Sequence, residues 1–157
     1  MASTEPVEII DFEVRAFHLL QDSNSLRAGL EVIQEYRINP DIEALSVDGS
    51  PVSVQTREVV GFGALAVCSE SGSPLGFGVA TLRGIVPGAW TLEHAETVRE
   101  HRGKGIGREV VSLLVDRARF SGGVTISADS TPSNNSFFEG LGFERKQGSS
   151  AYSLNLR

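Results

Sequence analysis

The residues with the clearest chemical potential lie close together, in the segment 99–108, which reads REHRGKGIGR. Glycines alternate through it at positions 103, 105 and 107. Its basic side chains are Arg99, Arg102, Lys104 and Arg108, against a single acid, Glu100. The local balance of four basic residues and one acidic residue stands out in a chain whose net charge is −6. Such a compact basic island predicts a binding site for an anion.

The glycines and the following helical pattern indicate how the anion would be held. Glycine lets the backbone turn sharply and approach a ligand closely. The first turn of a helix has N–H groups without a helical partner and the positive end of the helix dipole, and both favour phosphate oxygens. The segment therefore predicts a cradle for a pyrophosphate group, the alternative being a solvated turn that only begins a helix.

Two common nucleotide motifs do not fit this spacing. A P-loop requires Ser or Thr after Gly-Lys, but Gly103-Lys104 is followed by Gly105. A dinucleotide fingerprint requires GxGxxG, and the third glycine would fall at Arg108.

A different pattern does fit, (Q/R)xxGx(G/A), in the form of Arg102, Gly105 and Gly107. A second motif follows at 134–146, NNSFFEGLGFERK, in which a short helix is followed by Leu-Gly-Phe. With these two motifs, and with a strand predicted between them, the chain resembles the GNAT family of N-acetyltransferases. The resemblance covers about residues 58–157 and implies binding of acetyl-coenzyme A.

The resemblance also implies roles for individual residues in coenzyme binding. The loop from Arg102 through Arg108 is expected to hold the pyrophosphate, and the strand end at Val98 is expected to hydrogen-bond the pantetheine arm. Asn135 and Phe138 are expected to contact the coenzyme from the other side. The loop residues concerned are Arg102, Gly103, Lys104, Gly105, Ile106, Gly107 and Arg108.

Transfer of acetyl to an amine is helped by a base, because an alkylamine has a pKa of about 10. In the family the base often lies on the strand before the glycine loop, where this chain has Glu93, His94 and Glu96. Strand alternation places Glu96 and His94 on one face and Glu93 on the other, which favours Glu96 and then His94 as catalytic residues. A bulge in this strand would favour Glu93 instead.

Several groups are candidates for the general acid. Many family members have a tyrosine where this chain has Phe138, which has no proton to give. Ser133, Ser136, Tyr152 or water could replace it. The preferred function is therefore an N-acetyltransferase that moves acetyl from acetyl-CoA directly to an amine. The alternative is an acetyl-CoA-binding sensor or partner-binding domain with little catalytic activity.

The hydrophobic periodicity predicts a mixed α+β fold around these motifs. We expect one domain over residues 1–157, with about four helices and a mostly antiparallel sheet of about seven strands. Strands at 90–98 and 124–129 flank the helix at 105–120, so this β-α-β crossover, spanning 90–129, should form one parallel pair. The other predicted strands are 7–15, 58–68, 75–83, 143–147 and 151–156, and the other helices are 24–37 and 133–140.

Composition excludes several classes of function. The acidic net charge argues against nucleic-acid binding, and the absence of a signal sequence or a long apolar run predicts a cytoplasmic protein without a membrane partner. One cysteine, Cys68, and three separated histidines predict no metal site. Residues 1–48 contain ten acids and three arginines, so the amine acceptor could be cationic. The resemblance also makes a homodimer an option.

Overall fold

The computed structural model describes residues 11–18, 22–34, 46–47, 50–51, 60–82, 86–129 and 134–157. Its strands are β1 (Phe12–His18), β2 (Ser46–Val47), β3 (Ser50–Pro51), β4 (Val60–Cys68), β5 (Pro74–Leu82), β6 (Ala89–Thr97), β7 (Thr125–Asp129), β8 (Glu144–Arg145) and β9 (Ala151–Asn155). Its helices are α1 (Ser23–Gln34), α2 (Ile106–Phe120) and α3 (Asn135–Gly140), and a 3-10 turn lies at Arg99–His101. The strand expected at 7–15 begins at Phe12 in the described part, and the region 39–56 lies mostly outside it.

Seven strands form one sheet in the order β1-β4-β5-β6-β7-β9-β8, and β2 pairs with β3 separately. Within the large sheet β6 and β7 are parallel, while the other neighbours are antiparallel. The predicted α+β class, the seven-stranded mostly antiparallel sheet and the single parallel crossover are thus confirmed.

Helices α1 and α2 pack on opposite faces of the sheet. A Cβ added at Gly29 of α1 would collide with the ring of Phe77 on β5. A Cβ added at Gly78, the next residue along β5, would instead lie 2.7 Å from Val110 of α2. Because successive strand residues point to opposite faces, these two contacts define an α1 face and an α2 face of the sheet.

Two irregularities in β6 open the sheet beside α2. The register between β5 and β6 shifts by one residue, since Val79 pairs with His94 but Ala80 pairs with Leu92. This leaves Glu93 as the extra residue of a β-bulge. In addition, β6 pairs with β7 only at residues 89–91, although β6 continues to Thr97. The carboxyl-terminal half of β6 therefore diverges from β7.

No helix in the described ranges is long and apolar enough to cross a membrane.

Candidate active site

A cleft of about 590 Å³ lies where β6 diverges from β7, next to the first turn of α2. It brings together the end of β6, the glycine-rich loop and the start of α3, which are distant in the sequence. Its lining residues are Ala95, Glu96, Thr97, His101, Arg102, Gly103, Gly105, Ile106, Gly107, Arg108, Asn134, Phe137 and Phe138. Most of the loop residues predicted from the sequence therefore do meet at one site.

The first turn of α2 directs its N–H groups at this cleft. The first helical hydrogen bond of α2 runs from the Glu109 N–H to the Gly105 carbonyl. The N–H groups of residues 106–108 precede that bond, and no side chain caps the helix. Such a helix start, with its positive dipole end, is suited to an anion.

The glycines of the loop are required by backbone geometry. Gly103 has a φ of 78° and Gly105 a φ of 84°, values that disfavour every residue with a Cβ. A Cβ added at either position would have no protein atom within 4 Å apart from those of its own chain neighbours. At Gly107, in contrast, a Cβ would lie 3.3 Å from the Thr97 hydroxyl. This glycine allows α2 to begin directly against β6.

The basic side chains around the loop are not equivalent. Arg102 and Arg108 are exposed and line the cleft. Lys104 does not line it, and its Nζ lies 3.3 Å from the Nδ1 atom of His101, which does. Two guanidinium groups thus add formal positive charge to the helix start.

Of the two candidate bases, Glu96 lies in the cleft and His94 does not. Burial raises the pKa of the Glu96 carboxyl above its usual value, and the Arg102 guanidinium partly offsets this effect. His94 is buried, with 7% of its surface exposed. Of the two, Glu96 is therefore the residue placed to contact a ligand in the cleft.

The expected orientation of Glu93 is wrong. Simple alternation placed Glu93 on the face opposite Glu96, but the bulge changes the alternation. Thr81 lies on the α1 face because it is two residues from Val79 and four from Phe77. Its hydroxyl donates a 2.8 Å hydrogen bond to Glu93 Oε1. Glu93 therefore points to the same face as Glu96.

Val98, which the resemblance implies as a contact of the pantetheine arm, does not line the cleft. Val98 is buried, and its N–H donates a 2.8 Å hydrogen bond to the Leu75 carbonyl. In an antiparallel ladder the N–H and C=O of a residue point to the same side, and this side alternates along the strand. Since Val98 and Glu96 point to β5, the backbone of Ala95 points to the cleft.

The α3 side of the cleft differs in detail from the expectation. Phe138 lines the cleft, as predicted, and also packs in the core, where it stacks on Tyr152 with ring centroids 6.0 Å apart. Asn134 rather than Asn135 is among the lining residues. Phe137 lines the cleft as well and was missed, although it lies next to Phe138 in the motif.

Two of the candidate acids, Tyr152 and Ser136, lie outside the cleft lining. The Tyr152 hydroxyl is donated to Glu139 Oε1 at 3.0 Å, and burial raises the pKa of the phenol together with that hydrogen bond. Ser133 lies outside the described residues. Within the described ranges no group of three or more His, Cys, Asp or Glu side chains is arranged to hold a metal ion.

The sequence matches the family model described as the acetyltransferase (GNAT) family over residues 30–143. The chain belongs to this family. GNAT proteins use acetyl-CoA and act on amine acceptors. No functionally curated protein matches the chain significantly.

Solved structures show the same fold at low sequence identity. A protein of Desulfovibrio desulfuricans described as a GNAT-family acetyltransferase is 14% identical, with a TM-score of 0.67 over 92% of this chain and 100% of its own. A Trypanosoma brucei acetyltransferase is 20% identical, with a TM-score of 0.66 over 87% and 95%. A Brucella melitensis GNAT acetyltransferase in complex with acetyl-CoA is 14% identical, with a TM-score of 0.66 over 92% and 88%.

Proposed function

We propose that this GNAT protein transfers acetyl from acetyl-CoA directly to an amine, with the coenzyme in the cleft between β6, α2 and α3. The proposal depends mainly on one observation. The cleft extends from the N-terminal turn of α2 to the end of β6 that diverges from β7, and Glu96 lies at that end. A single ligand can thus place a pyrophosphate at the helix and a thioester at the carboxylate.

The loop and β6 hold the two halves of the coenzyme. The N–H groups of Ile106, Gly107 and Arg108 donate to the pyrophosphate, and Arg102 supports its charge from the side. The pantetheine arm runs along β6 and hydrogen-bonds the backbone of Ala95, as an added strand would. Phe137 and Phe138 close the apolar side of the cleft.

Glu96 acts as the base in acetyl transfer. The acceptor must lose a proton before it attacks, because an alkylammonium with a pKa of about 10 has no free electron pair at neutral pH. The neutral amine forms a bond to the acetyl carbonyl carbon, the carbon–sulfur bond breaks, coenzyme A leaves as the thiolate, and the nitrogen releases its remaining extra proton to water to give the amide. A thiol of this kind has a pKa of roughly 8.5, so solvent can return the proton. Holding the two reactants together supplies much of the remaining acceleration.

Direct transfer suits the position of the single cysteine. Cys68 ends β4 and does not line the cleft, so the cleft offers no thiol for an acetyl-enzyme intermediate. A ternary complex of protein, acetyl-CoA and amine is therefore part of the proposal. The cytoplasmic location and the homodimer expected from the sequence stay predictions.

The second candidate is an acetyl-CoA-binding module with little turnover. Phe138 favours the binding module, because many members of the family are expected to have a tyrosine at this position and phenylalanine has no proton to give. Release of coenzyme A with a panel of amines distinguishes the two. Catalytic turnover with any amine supports the transferase. Tight acetyl-CoA binding without turnover across the panel supports the binding module.

A further inference from the structure

Strand β1 forms one end of the seven-stranded sheet, and in the described part of the chain no strand pairs with its outer side. The Ser69 N–H, next to β4, donates a 3.0 Å hydrogen bond to the Asp11 carbonyl, so the backbone of Asp11 points to β4. Because this direction alternates along an antiparallel strand, the N–H and C=O groups of Phe12, Val14 and Ala16 point outwards. Such an edge is a template for pairing with a further strand.

The side chains of β1 alternate between an apolar side and a charged side. Phe12 and Val14 lie against α2, whereas Glu13 and Arg15 point to the opposite face of the sheet and are exposed. Hydrogen bonds at the start of α1 are the main cause of the lowered pKa of Asp22, and the Arg15 charge makes a smaller contribution. The exposed face of β1 therefore carries one acid and one base, two residues apart.

This pair of charges selects how two copies of β1 can pair. In an antiparallel pair of identical strands centred on Val14, Glu13 of one copy lies opposite Arg15 of the other, at two symmetric places. A pair centred on Glu13 or on Arg15 instead places like charges opposite each other, which is destabilising. The register centred on Val14 also joins the outward-pointing backbone groups of Phe12 and Ala16. The edge is thus complementary to itself, as a two-fold interface requires.

An exposed aromatic side chain of α2 continues the groove that lies beside this edge. Phe120 is 88% exposed. It follows Leu113 by seven residues and Asp116 by four, so it belongs to the helix face that borders the groove. The groove has a volume of about 350 Å³ and is lined by Phe12, Val14, Glu109, Ser112, Leu113 and Asp116.

The same two-fold axis brings Phe120 to the groove of the second copy. Since β1, β4, β5 and β6 are successive antiparallel neighbours, α2, which returns from the end of β6, runs in the same direction as β1. Seven helical residues at about 1.5 Å each place Phe120 about 10 Å beyond Leu113. An axis through Val14 places the partner's Phe12 opposite Ala16, which is about 13 Å beyond Phe12. Phe120 therefore lies level with the partner's groove.

We propose that β1 is the interface of a symmetric homodimer, in which two copies of β1 pair antiparallel about Val14 and Phe120 of each copy packs into the groove between β1 and α2 of the other. The two sheets become one continuous sheet, with both α2 helices on the same face. The cleft lies between β6 and β7, and β6 is the fourth strand from the pairing edge. The dimer therefore leaves the cleft open, and this inference does not depend on the proposed function.

The test measures association by analytical ultracentrifugation over about 1 to 100 μM protein, a range that detects a micromolar Kd. We expect the native protein to dimerise. Glu13→Arg and Arg15→Glu each place like charges opposite at both symmetric places, so each should raise the dimer Kd about tenfold or more. An equimolar mixture of these two variants restores opposite charges at both places, and it should form a heterodimer about as tightly as the native protein dimerises.

The matched control is Glu144→Arg, which reverses an exposed charge on β8, the strand at the other end of the sheet. It should leave the dimer Kd unchanged. A native protein that stays monomeric over the whole range would overturn the inference. So would a dimer that tolerates both charge reversals on β1, or a mixture of the two variants that stays monomeric.

Phe120→Ala tests the contact with the groove separately. Because the ring is 88% exposed in the single chain, its removal should leave the fold intact, and circular dichroism checks this. We expect the dimer Kd to rise about tenfold or more, as for an aromatic side chain buried at an interface. An unchanged Kd would show that Phe120 does not pack against the second copy.

Discussion

At the scale of single residues, the proposed chemistry depends most on the Glu96 side chain. Glu96→Gln keeps the shape and removes the base, so we expect kcat to fall about 100-fold or more. A base works only when ionised, and burial raises the pKa of Glu96. The rate of the unmodified protein should therefore rise with pH through that raised pKa, and the variant should lose this dependence.

The measurement is kcat over a range from acidic to neutral pH, with acetyl-CoA affinity as the control. The affinity of Glu96→Gln for acetyl-CoA should stay within about twofold of that of the native protein, which corresponds to about 0.4 kcal/mol in binding free energy. A variant that keeps the same pH dependence would show that the titrating base is a different group.

Residues whose chemical type suits a role, such as glycine in a turn or arginine at an anion site, could be predicted from the sequence. Features that depend on how a strand pairs with its neighbours could not. Gly105 and Arg102 could be found because a turn and an anion site require glycine and positive charge. The sequence did not show that the Val98 N–H bonds the Leu75 carbonyl while Ala95 lines the cleft, because the direction of a backbone N–H depends on pairing with β5. The orientation of Glu93 that simple alternation predicted was wrong, because β6 contains the bulge that the sequence analysis kept as an alternative and that no glycine or proline marks.

At the scale of elements, the packing of α2 on β5 sets the position of the helix start in the cleft. A Cβ at Gly78 would lie 2.7 Å from Val110 and 2.8 Å from Leu114. Gly78→Ala should therefore destabilise the fold by about 1–3 kcal/mol through overpacking. Gly140→Ala is the control, because a Cβ at the end of α3 meets nothing within 4 Å. Urea unfolding measures both, and equal stabilities of the two variants would contradict this packing.

The bulge in β6 is held by a buried hydroxyl. Thr81 is 1% exposed and donates to Glu93. Thr81→Val keeps the shape and removes this hydrogen bond, so we expect a loss of about 1 kcal/mol in the free energy of unfolding. Ser71→Ala is the control, because it removes a hydroxyl that bonds Ser73 in an exposed turn. It should lower the free energy of unfolding less than Thr81→Val does. A Thr81→Val protein as stable as the native one would show that the bond does not hold the bulge.

The elements with the most regular pattern of hydrophobic residues were predicted best. The helix expected at 105–120 spans Ile106–Phe120, because its apolar stripe is regular and Gly122 and Gly123 follow it. The strand expected at 90–98 spans Ala89–Thr97. The divergence of β6 from β7, which creates the cleft, has no local sequence signal, since it depends on where pairing between two distant strands ends.

At the scale of the whole molecule, the coenzyme should stabilise the fold because it binds elements from both halves of the sheet. A ligand at 100 times its Kd adds about 2.7 kcal/mol to the free energy of unfolding. For a domain of this size that corresponds to a rise in Tm of about 5–10 °C. Thermal unfolding with acetyl-CoA measures it, and adenosine at the same concentration is the control. An unchanged Tm at saturating acetyl-CoA would contradict binding to the folded state.

The overall topology followed from the order of predicted elements and from the resemblance to the GNAT family. The parallel pair was derived from one strand–helix–strand unit, because two parallel strands need a long crossover. The position of Glu96 beside the glycine-rich loop could not be derived in this way. The basic loop is visible in the sequence, but its meeting with Glu96 depends on where β6 stops pairing with β7.

The central claim is that the start of α2 binds acetyl-CoA, and calorimetric titration with acetyl-CoA tests it most directly. The native protein is compared with Gly105→Glu and with Gly122→Glu. Gly122 lies at the other end of the same helix, with a φ of 83° and nothing within 4 Å of an added Cβ, so backbone strain and space match those at Gly105. We predict micromolar binding by the native protein and by Gly122→Glu, and none by Gly105→Glu. Equal binding by all three proteins would contradict the claim, and so would the absence of binding by the native protein.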